Sequence, residues 1–296
     1  MTHAQTLRAL LKAPEFIVAP GMYDALTALM IEQHGFACAY LGGASIAYTR
    51  IGMPDIGLTS VTEVAQVAAH IRERVAIPFI VDIDTGFGNA LNTQRTVRTL
   101  ERAGASGLQI EDQTFPKRCG HLAGKSLVST AEMVGKIKAA LDARLDADTV
   151  IVARTDAIAV EGFDRALERA QAYMNAGADM LFVEAPQTDE QMTRLCAAFK
   201  GKVPLLANMV EGGKTPLKPA SELAALGFKI AIYPGTMVRV ITKAADEYLK
   251  ILKADGATAR MRDRMFDFGQ VNAILGLNDV MARGQRYDEK LAKAAE

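Results

Sequence analysis

The chain has little cysteine, little histidine and no tryptophan, and it carries no excess of charge of either sign. Its 296 residues include 3 cysteines and 4 histidines. Cys38, Cys119 and Cys196 are odd in number and far apart, which argues against a disulfide framework and favours a reducing compartment. The 34 basic residues balance the 34 acidic ones, so we expect no nucleic acid partner and no attraction to a membrane surface.

Long hydrophobic runs are also missing from this chain. No apolar run approaches the roughly 20 residues of a membrane-spanning helix. Residues 1–5 show no basic region followed by an apolar core, as a secretory signal peptide would. Even so, 50% of the residues are apolar and 23% are charged, which is typical of a globular protein with a large core. We therefore expect a soluble cytoplasmic protein.

What the chain does have is an alternation of short apolar runs with helical patterns, repeated about eight times without a linker. The predicted strands span residues 16–19, 37–41, 79–82, 107–110, 150–153, 180–183, 205–207 and 230–233. The predicted helices span residues 92–103, 130–145, 163–176 and 189–199. A further helix begins at Ser60, because Glu63 three residues later completes a capping box.

This alternation predicts an α/β fold, a (β/α)8 TIM-type barrel with additional C-terminal helices. A doubly wound open sheet is the alternative, but its glycine-rich dinucleotide fingerprint does not follow the first predicted strand. We assign residues 1–255 to the barrel. Residues 256–296 are predicted to form a helical extension of the same domain, packed outside the barrel or on a neighbouring subunit.

Acidic residues collect at the carboxyl ends of the predicted strands, where barrel enzymes have their active sites. Asp82 and Asp84 follow the third strand, Glu111 follows the fourth, and Asp55 lies shortly after the second. Several carboxylates at one mouth need a compensating charge. A hard divalent cation supplies it, and without a histidine cluster Mg²⁺ or Mn²⁺ fits better than Zn²⁺.

The alternative interpretation of such acids is helix capping. We expect capping for Asp112, Asp156 and Asp164 and metal binding for the first group. Arg154 follows an apolar strand and is either part of a structural ion pair or a fork for a substrate carboxylate. The segment Lys117-Arg118-Cys119-Gly120-His121 surrounds a thiol with positive charge, which favours the thiolate. Taken alone, that segment favours a basic surface cluster with an incidental cysteine, and only the rest of the chain favours a functional thiol.

Six segments together resemble the isocitrate lyase / phosphoenolpyruvate mutase superfamily across nearly the whole chain. They are residues 39–43, 82–88, 110–113, 117–121, 153–157 and 208–213. The cysteine segment is the specific one, because the phosphonate mutases of that superfamily carry asparagine in place of the thiol. The resemblance therefore points to the carbon–carbon lyase branch.

The resemblance implies Mg²⁺, with Mn²⁺ possible, held by Asp84 together with Asp55, Asp82 and Glu111. It implies that Cys119 is the general acid, carried on a mobile lid of about residues 115–129. It also implies that Arg154 clamps a carboxylate. The remaining implied pocket residues are Tyr40, Gly42, Gly43, Ser45, Gly120, His121, Glu184, Asn208 and Glu211.

The chemistry implied is retro-aldol cleavage of a substituted malate to pyruvate and a carboxylic acid. Tyr40 is only a candidate for the base that removes the hydroxyl proton. Gly42 stands where methylisocitrate lyases have serine, and Leu122-Ala123 where they have arginine and proline. A tricarboxylate loses contacts there, so cleavage of 2,3-dimethylmalate is favoured. Alternatives are 2-methylisocitrate cleavage and oxaloacetate hydrolysis or decarboxylation. Relatives also imply a homotetramer.

Overall fold

A computed structural model describes residues 1–120, 122 and 124–287. Eight strands form one sheet in the order β6-β5-β4-β3-β2-β1-β8-β7, and all of the pairings are parallel. A parallel bridge between Leu181 and Leu205 links β6 to the residue just before β7. The strands are β1 (Ile17–Met22), β2 (Ala39–Leu41), β3 (Phe79–Asp82), β4 (Gly107–Glu111), β5 (Val150–Thr155), β6 (Met180–Val183), β7 (Leu206–Asn208) and β8 (Ile230–Tyr233). This nearly closed barrel confirms the predicted TIM-barrel fold.

Helices alternate with these strands and continue beyond them. They are α1 (His3–Lys12), α2 (Ala25–Gln33), α3 (Gly43–Ile46), α4 (Val61–Arg72), α5 (Ala90–Arg102), α6 (Thr130–Ala143), α7 (Phe163–Asn175), α8 (Asp189–Phe199), α9 (Ala220–Leu226), α10 (Thr236–Asp255), α11 (Phe268–Ile274) and α12 (Leu277–Gln285). The predicted capping box is confirmed, since Ser60 Oγ accepts from Glu63 N–H and the Glu63 side chain accepts from Ser60 N–H. A π-helical turn over Ala47–Ile51 continues α3.

The barrel interior is filled by apolar side chains from the strands and from helix α1. Leu7 of α1 is fully buried and belongs to the same cluster as Ile17, Val150 and Ile230, near the starts of three strands. A Cβ on Gly107, at the start of β4, would lie 3.1 Å from Leu7 Cδ2. Helix α1 therefore closes the amino-terminal end of the barrel and leaves the other end for a site.

The chain divides into two units, Met1–Arg239 and Val240–Glu296. The first contains the barrel. The second contains most of α10, a 3₁₀ turn at Ala259–Arg264, and helices α11 and α12, which gives the predicted C-terminal helices. The domain boundary after residue 255 stays a prediction. In the described part of the chain, no helix combines the length and the apolar character needed to span a bilayer.

Candidate active site

A cavity of about 70 Å³ lies at the carboxyl ends of the strands, where the barrel fold places its chemistry. Tyr40, Asp82 and Arg154 come from strands, whereas Lys117 and Cys119 come from the long segment between β4 and α6. The described residues 115–120, 122 and 124–129 of that segment are called the lid below. The remaining wall residues are Gly42, Ala44, Tyr48, Asp55, Gly120, Phe182, Glu184, Asn208, Val210, Ile232, Pro234, Gly235 and Arg239.

Four carboxylates come together beside this cavity, those of Asp55, Asp82, Asp84 and Glu111. All are buried, with exposed fractions of 8%, 8%, 5% and 1%. The backbone of Asp84 is in the left-handed region, at φ 47°, which is uncommon for a residue with a side chain. Its N–H donates to Asp82 Oδ1 at 3.1 Å. The turn after β3 therefore holds two acids of the cluster against each other.

Lys117 from the lid inserts its ammonium group into this carboxylate cluster. Lys117 Nζ lies 2.5 Å from Asp55 Oδ1 and 2.8 Å from Asp84 Oδ1, and the lysine side chain is 4% exposed. Burial by itself lowers the pKa of Lys117. The surrounding carboxylates, led by Asp84 and Glu111, outweigh that effect and hold the pKa well above its usual value. The lysine is therefore charged and pairs the lid with the barrel.

The acidic cluster remains short of positive charge in spite of this lysine. Burial raises the pKa of Asp84 to about 6 against the opposing effect of Lys117. Burial also raises the pKa of Asp82, and it raises that of Glu111 well above the ordinary value. Glu111 Oε1 is buried without a hydrogen-bond partner among the described residues. Such a donor set fits a divalent cation.

The arrangement of the side chains is nevertheless not that of a formed metal site. Within the described ranges, no three or more His, Cys, Asp or Glu side chains are grouped so that they could hold a metal ion. The cation nearest to Asp55 and Asp84 is the ammonium of Lys117. The predicted ligands are thus brought together around a lysine, and their metal-binding role stays a prediction.

Arg154 lies among three buried acids at the end of β5. Its guanidinium is 3.3 Å from Glu111 Oε2 and 3.2 Å from Glu184 Oε2. Asp156 accepts two further bonds, from Nε at 2.9 Å and from Nη2 at 3.2 Å. These contacts agree with the ion-pair interpretation. Arg154 also lines the cavity, and its role as a fork for a substrate carboxylate stays a prediction. The arginine is ion-paired within the wall and faces the space for a ligand.

Tyr40 is buried, and its hydroxyl donates to Gln109 Oε1 at 2.5 Å. The amide of Gln109 in turn donates to Asp82 Oδ1 at 3.1 Å. Burial, with a contribution from the Asp82 charge, raises the pKa of Tyr40 well above its usual value. The phenol is therefore neutral and its proton is already engaged. This geometry gives no support to Tyr40 as the base.

The lid brings Cys119 and Gly120 to the cavity wall. Cys119 is half-buried, and its N–H donates to Asp55 O at 3.2 Å. A Cβ on Gly120 would lie 2.5 Å from Arg154 Nη2, so only glycine allows the lid to approach this closely. His121 lies outside the described residues. The predicted thiol and arginine are thus brought to one cavity.

The remaining predicted pocket residues divide into two sets. Gly42, Glu184 and Asn208 line the cavity. Gly43 lies at the start of α3, where an added Cβ would be 3.2 Å from Asp84 Oδ1. Ser45 Oγ donates to Pro234 O at 3.0 Å. Gly43 therefore lies against the carboxylate cluster, and Ser45 is bonded to the segment after β8.

Glu211 was predicted to bind the substrate, but it is not among the described residues that line the cavity. It accepts from Arg239 Nη1 at 3.0 Å and from Thr236 Oγ1 at 2.6 Å, and Arg239 does line the cavity. Arg239 and Gln109 were not predicted from the sequence as site residues. Both were detectable, because Arg239 follows the last strand and Gln109 shares a strand face with Glu111 two residues later.

The prediction that Asp112, Asp156 and Asp164 cap helices is wrong. Asp112 accepts from Thr155 Oγ1 at 2.7 Å. Asp156 precedes a 3₁₀ turn but makes no side-chain capping bond there. Helix α7 begins after Gly162, and Asp164 in its first turn pairs with Arg194 at 2.7 Å. Tertiary partners far away in the sequence, absent from the local pattern, determine these contacts.

Comparison with known proteins agrees with this geometry. A family model described as phosphoenolpyruvate phosphomutase matches residues 7–253. The chain belongs to the phosphoenolpyruvate mutase/isocitrate lyase superfamily. Among superfamily members, 2,3-dimethylmalate lyase of Eubacterium barkeri is 46% identical over 287 residues, covering 97% of this chain and 99% of that protein. The 2-methylisocitrate lyase of Aeropyrum pernix is 44% identical over 290 residues, covering 98% and 91%.

Solved structures of superfamily members match in the same way. A crystal structure of 2,3-dimethylmalate lyase superposes with a TM-score of 0.91 at 36% identity, covering 97% of this chain and 95% of that one. Phosphonopyruvate hydrolase in complex with oxalate and Mg²⁺ gives 0.88 at 33% identity, covering 97% and 99%. Superfamily membership and the barrel, both predicted from the sequence, are confirmed. The protein is an enzyme, a carbon–carbon lyase of the isocitrate lyase superfamily.

Proposed function

We propose that this enzyme cleaves 2,3-dimethylmalate to pyruvate and propionate by retro-aldol chemistry. One observation carries the proposal: the lid brings Cys119 to the same cavity as Arg154, beside four buried carboxylates. A thiol can act as an acid toward carbon, an arginine binds a carboxylate, and clustered carboxylates bind a hard metal ion. Cleavage of a substituted malate needs all three.

In this proposal Asp84, with Asp55, Asp82 and Glu111, would hold Mg²⁺ or Mn²⁺. The metal when bound supplies positive charge to the hydroxyl and adjacent carboxylate of the substrate. Support comes from the unpartnered Glu111 Oε1 and from the raised pKa values of the cluster. A solved superfamily structure contains Mg²⁺ with oxalate, which has the carboxylate chemistry expected of the pyruvate half.

The residues of the chain supply the remaining steps. Arg154 binds the distal carboxylate and offsets the negative charge that develops when the carbon–carbon bond breaks. The substrate hydroxyl gives up its proton and its carbon becomes the carbonyl of pyruvate. The electrons of the broken carbon–carbon bond pass to the carbon of the departing carboxylic acid, and Cys119 donates its Sγ proton to that carbon. The released hydroxyl proton balances the one that the thiol has donated, and protonation of the thiolate from solvent restores Cys119. Arg239, which also lines the cavity, gives a second cation for a dicarboxylate. The lid, paired with the barrel through Lys117, excludes water.

The side chains of the lid favour the smaller substrate over 2-methylisocitrate. Leu122 stands where the resemblance places arginine in methylisocitrate lyases. Leu122 is 46% exposed and offers no contact to a third carboxylate. 2-Methylisocitrate cleavage is the second candidate, because a relative with that activity is 44% identical.

Pyruvate release from the purified enzyme tests the proposal. We expect turnover of 2,3-dimethylmalate with Mg²⁺, loss of turnover in EDTA, and slower release from 2-methylisocitrate and oxaloacetate. Cys119→Ser should lower kcat by about 10²- to 10⁴-fold with unchanged thermal unfolding. A preference for 2-methylisocitrate would overturn the substrate assignment. A fully active Cys119→Ser variant would overturn the role of the thiol.

We also propose that the enzyme acts in the cytoplasm as a homotetramer. Apolar side chains of α11 and α12 are exposed within the second unit, with Phe268 at 86% and Met281 at 57%, and exposed apolar surface of this kind is typical of interfaces. Light scattering coupled to gel filtration should give four times the 31.8 kDa chain mass. A monomer mass would contradict the assembly.

A further inference from the structure

The strand-end aspartate Asp156 connects Arg154 to the lid. Its carboxylate is fully buried and accepts from Arg154 Nε at 2.9 Å and from Nη2 at 3.2 Å. Two parallel bonds from one guanidinium fix its plane as well as its position. The backbone N–H of Asp156 donates to Asp112 Oδ1 at 2.9 Å, so the aspartate is itself anchored to the barrel.

Lys125 binds the same carboxylate from the lid. Its Nζ lies 2.8 Å from Asp156 Oδ1, and the two side chains are only 2% and 0% exposed. The same ammonium donates to the carbonyl of Gly120, the residue after Cys119. The ammonium group of Lys125 thus contacts both Gly120, next to Cys119 in the lid, and Asp156, which holds Arg154.

The contact that Lys125 holds in place is tight. Gly120 packs against both partners of the arginine pair, since an added Cβ would be 2.5 Å from Arg154 Nη2 and 2.8 Å from Glu184 Oε2. Any opening of the lid separates Gly120 from this surface and takes Lys125 away from Asp156. A carboxylate left with one fewer cation in a buried place is costly.

We propose that Asp156 is a positioning residue that couples closure of the lid over Cys119 to the orientation of Arg154, with Lys125 as the latch. This inference rests on the proposed function only in that Cys119 and Arg154 are taken to act on the substrate. The closed lid and the fixed arginine then form together. When the latch is broken, the thiol is exposed, and Asp156, left without the cation of Lys125, no longer fixes Arg154 against the closed lid.

Alkylation of Cys119 tests the latch without any substrate. Iodoacetamide should modify Cys119 about tenfold to a hundredfold faster in Lys125→Met than in the wild type, because the buried ion pair that closes the lid is lost. Peptide mass mapping separates Cys119 from Cys38 and Cys196, which are buried. A full pH profile of the rate separates accessibility from thiol ionisation. Lys138→Met, an exposed lysine on α6, is the matched control and should alkylate at the wild-type rate.

Whether Lys125 and Asp156 act through one contact is tested by combining Asp156→Asn with Lys125→Met. The double variant Lys125→Met/Asp156→Asn should alkylate no faster than Asp156→Asn alone, since both changes break one contact. On the cleaved substrate, Lys125→Met should lower kcat by more than it raises KM, and Lys125→Arg should restore most of kcat. Rates that multiply in the double variant, or an unchanged rate in a folded Lys125→Met, would overturn the latch.

The outcome separates this inference from the proposed function. If the wild type cleaves no substituted malate while Lys125→Met still accelerates alkylation, the latch stands and the proposed reaction fails. If 2,3-dimethylmalate is cleaved and Lys125→Met behaves as the wild type in both assays, the reaction stands and the latch fails.

Discussion

Glu111 and Asp112 are consecutive acids at the end of β4, and the barrel uses them in opposite ways. Glu111 faces the site cluster, where one of its oxygens has no partner among the described residues. Asp112 faces the surrounding helices, where both of its oxygens are bonded. Both are buried, at 1% and 0% exposure. The comparison shows that burial of an acid does not by itself indicate function; the number of bonds it still lacks is the better guide.

The environment of Asp112 shows what a satisfied buried acid requires. Oδ2 accepts from Thr155 Oγ1 and from Tyr173 OH, both at 2.7 Å, and Oδ1 accepts from the Asp156 N–H at 2.9 Å. Arg169 approaches Oδ2 at 3.4 Å and is itself held by Glu161 through two bonds. Burial raises the pKa of Asp112, and these hydrogen bonds oppose that rise. Strand, helix and loop meet at one carboxylate, which therefore contributes to stability.

The largest expected effect is on catalysis and comes from a change of Glu111. Glu111→Gln should lower kcat about a thousandfold, which is about 4 kcal/mol of transition-state stabilisation, because the charge that would attract the metal is removed. The free energy of unfolding without metal should change little, because loss of the ion pair with Arg154 is offset by removal of a buried charge with one unpartnered oxygen. Pyruvate release and urea unfolding measure the two quantities. Full activity or a clear loss of stability in Glu111→Gln would contradict the assignment of Glu111 to catalysis.

The second largest expected effect is on the free energy of unfolding and comes from a change of Asp112. Asp112→Asn should lower the free energy of unfolding by about 3 kcal/mol, because an amide cannot accept every bond that the carboxylate accepts. The kcat of the folded enzyme should change far less than in Glu111→Gln. Urea unfolding measures the first quantity, and pyruvate release corrected for the folded fraction measures the second. Equal stability in Asp112→Asn and the wild type would show that this network is not structural.

The smallest expected effect comes from removing a single hydrogen bond to Asp112. Tyr173→Phe removes one donor to Asp112 and should lower the free energy of unfolding by about 1 kcal/mol. Tyr287→Phe is the control, because Tyr287 is 81% exposed and should leave stability unchanged. Thermal and urea unfolding of the two variants give the difference. A larger loss in Tyr287→Phe than in Tyr173→Phe would contradict the assignment.

Strand positions were predictable because buried parallel strands are short apolar runs between turns. Residues 79–82, 180–183 and 230–233 are strands with the predicted bounds. The first strand was predicted to end at residue 19, before proline and glycine, which usually interrupt strands. In the structure β1 continues, since Pro20 pairs with Tyr233, and Gly21 lies so close to Pro234 that a Cβ would meet its oxygen at 2.3 Å.

Site residues were predictable where the strand end itself determines them, and not where the partner is distant. The acids after β3 and β4 and the arginine of β5 follow from the rule that barrel chemistry lies at strand ends. The bonds from Tyr173 and Arg169 to Asp112 join residues 61 and 57 positions apart, which no local pattern encodes. For the same reason the contact of Lys125 with Asp156, 31 positions apart, was not foreseen.

Glu111 and Asp112 face opposite sides because they occupy consecutive positions along the chain at the end of β4. In the ladder between β4 and β5, Glu111 pairs with Arg154, and the two-residue period of a strand sends the next side chain to the opposite face. Insertion or deletion of one residue in β4 would exchange the two acids, so that the site and the supporting network fail together. Exchange of this strand with that of a relative can therefore succeed only if the number of residues before Glu111 changes by an even number.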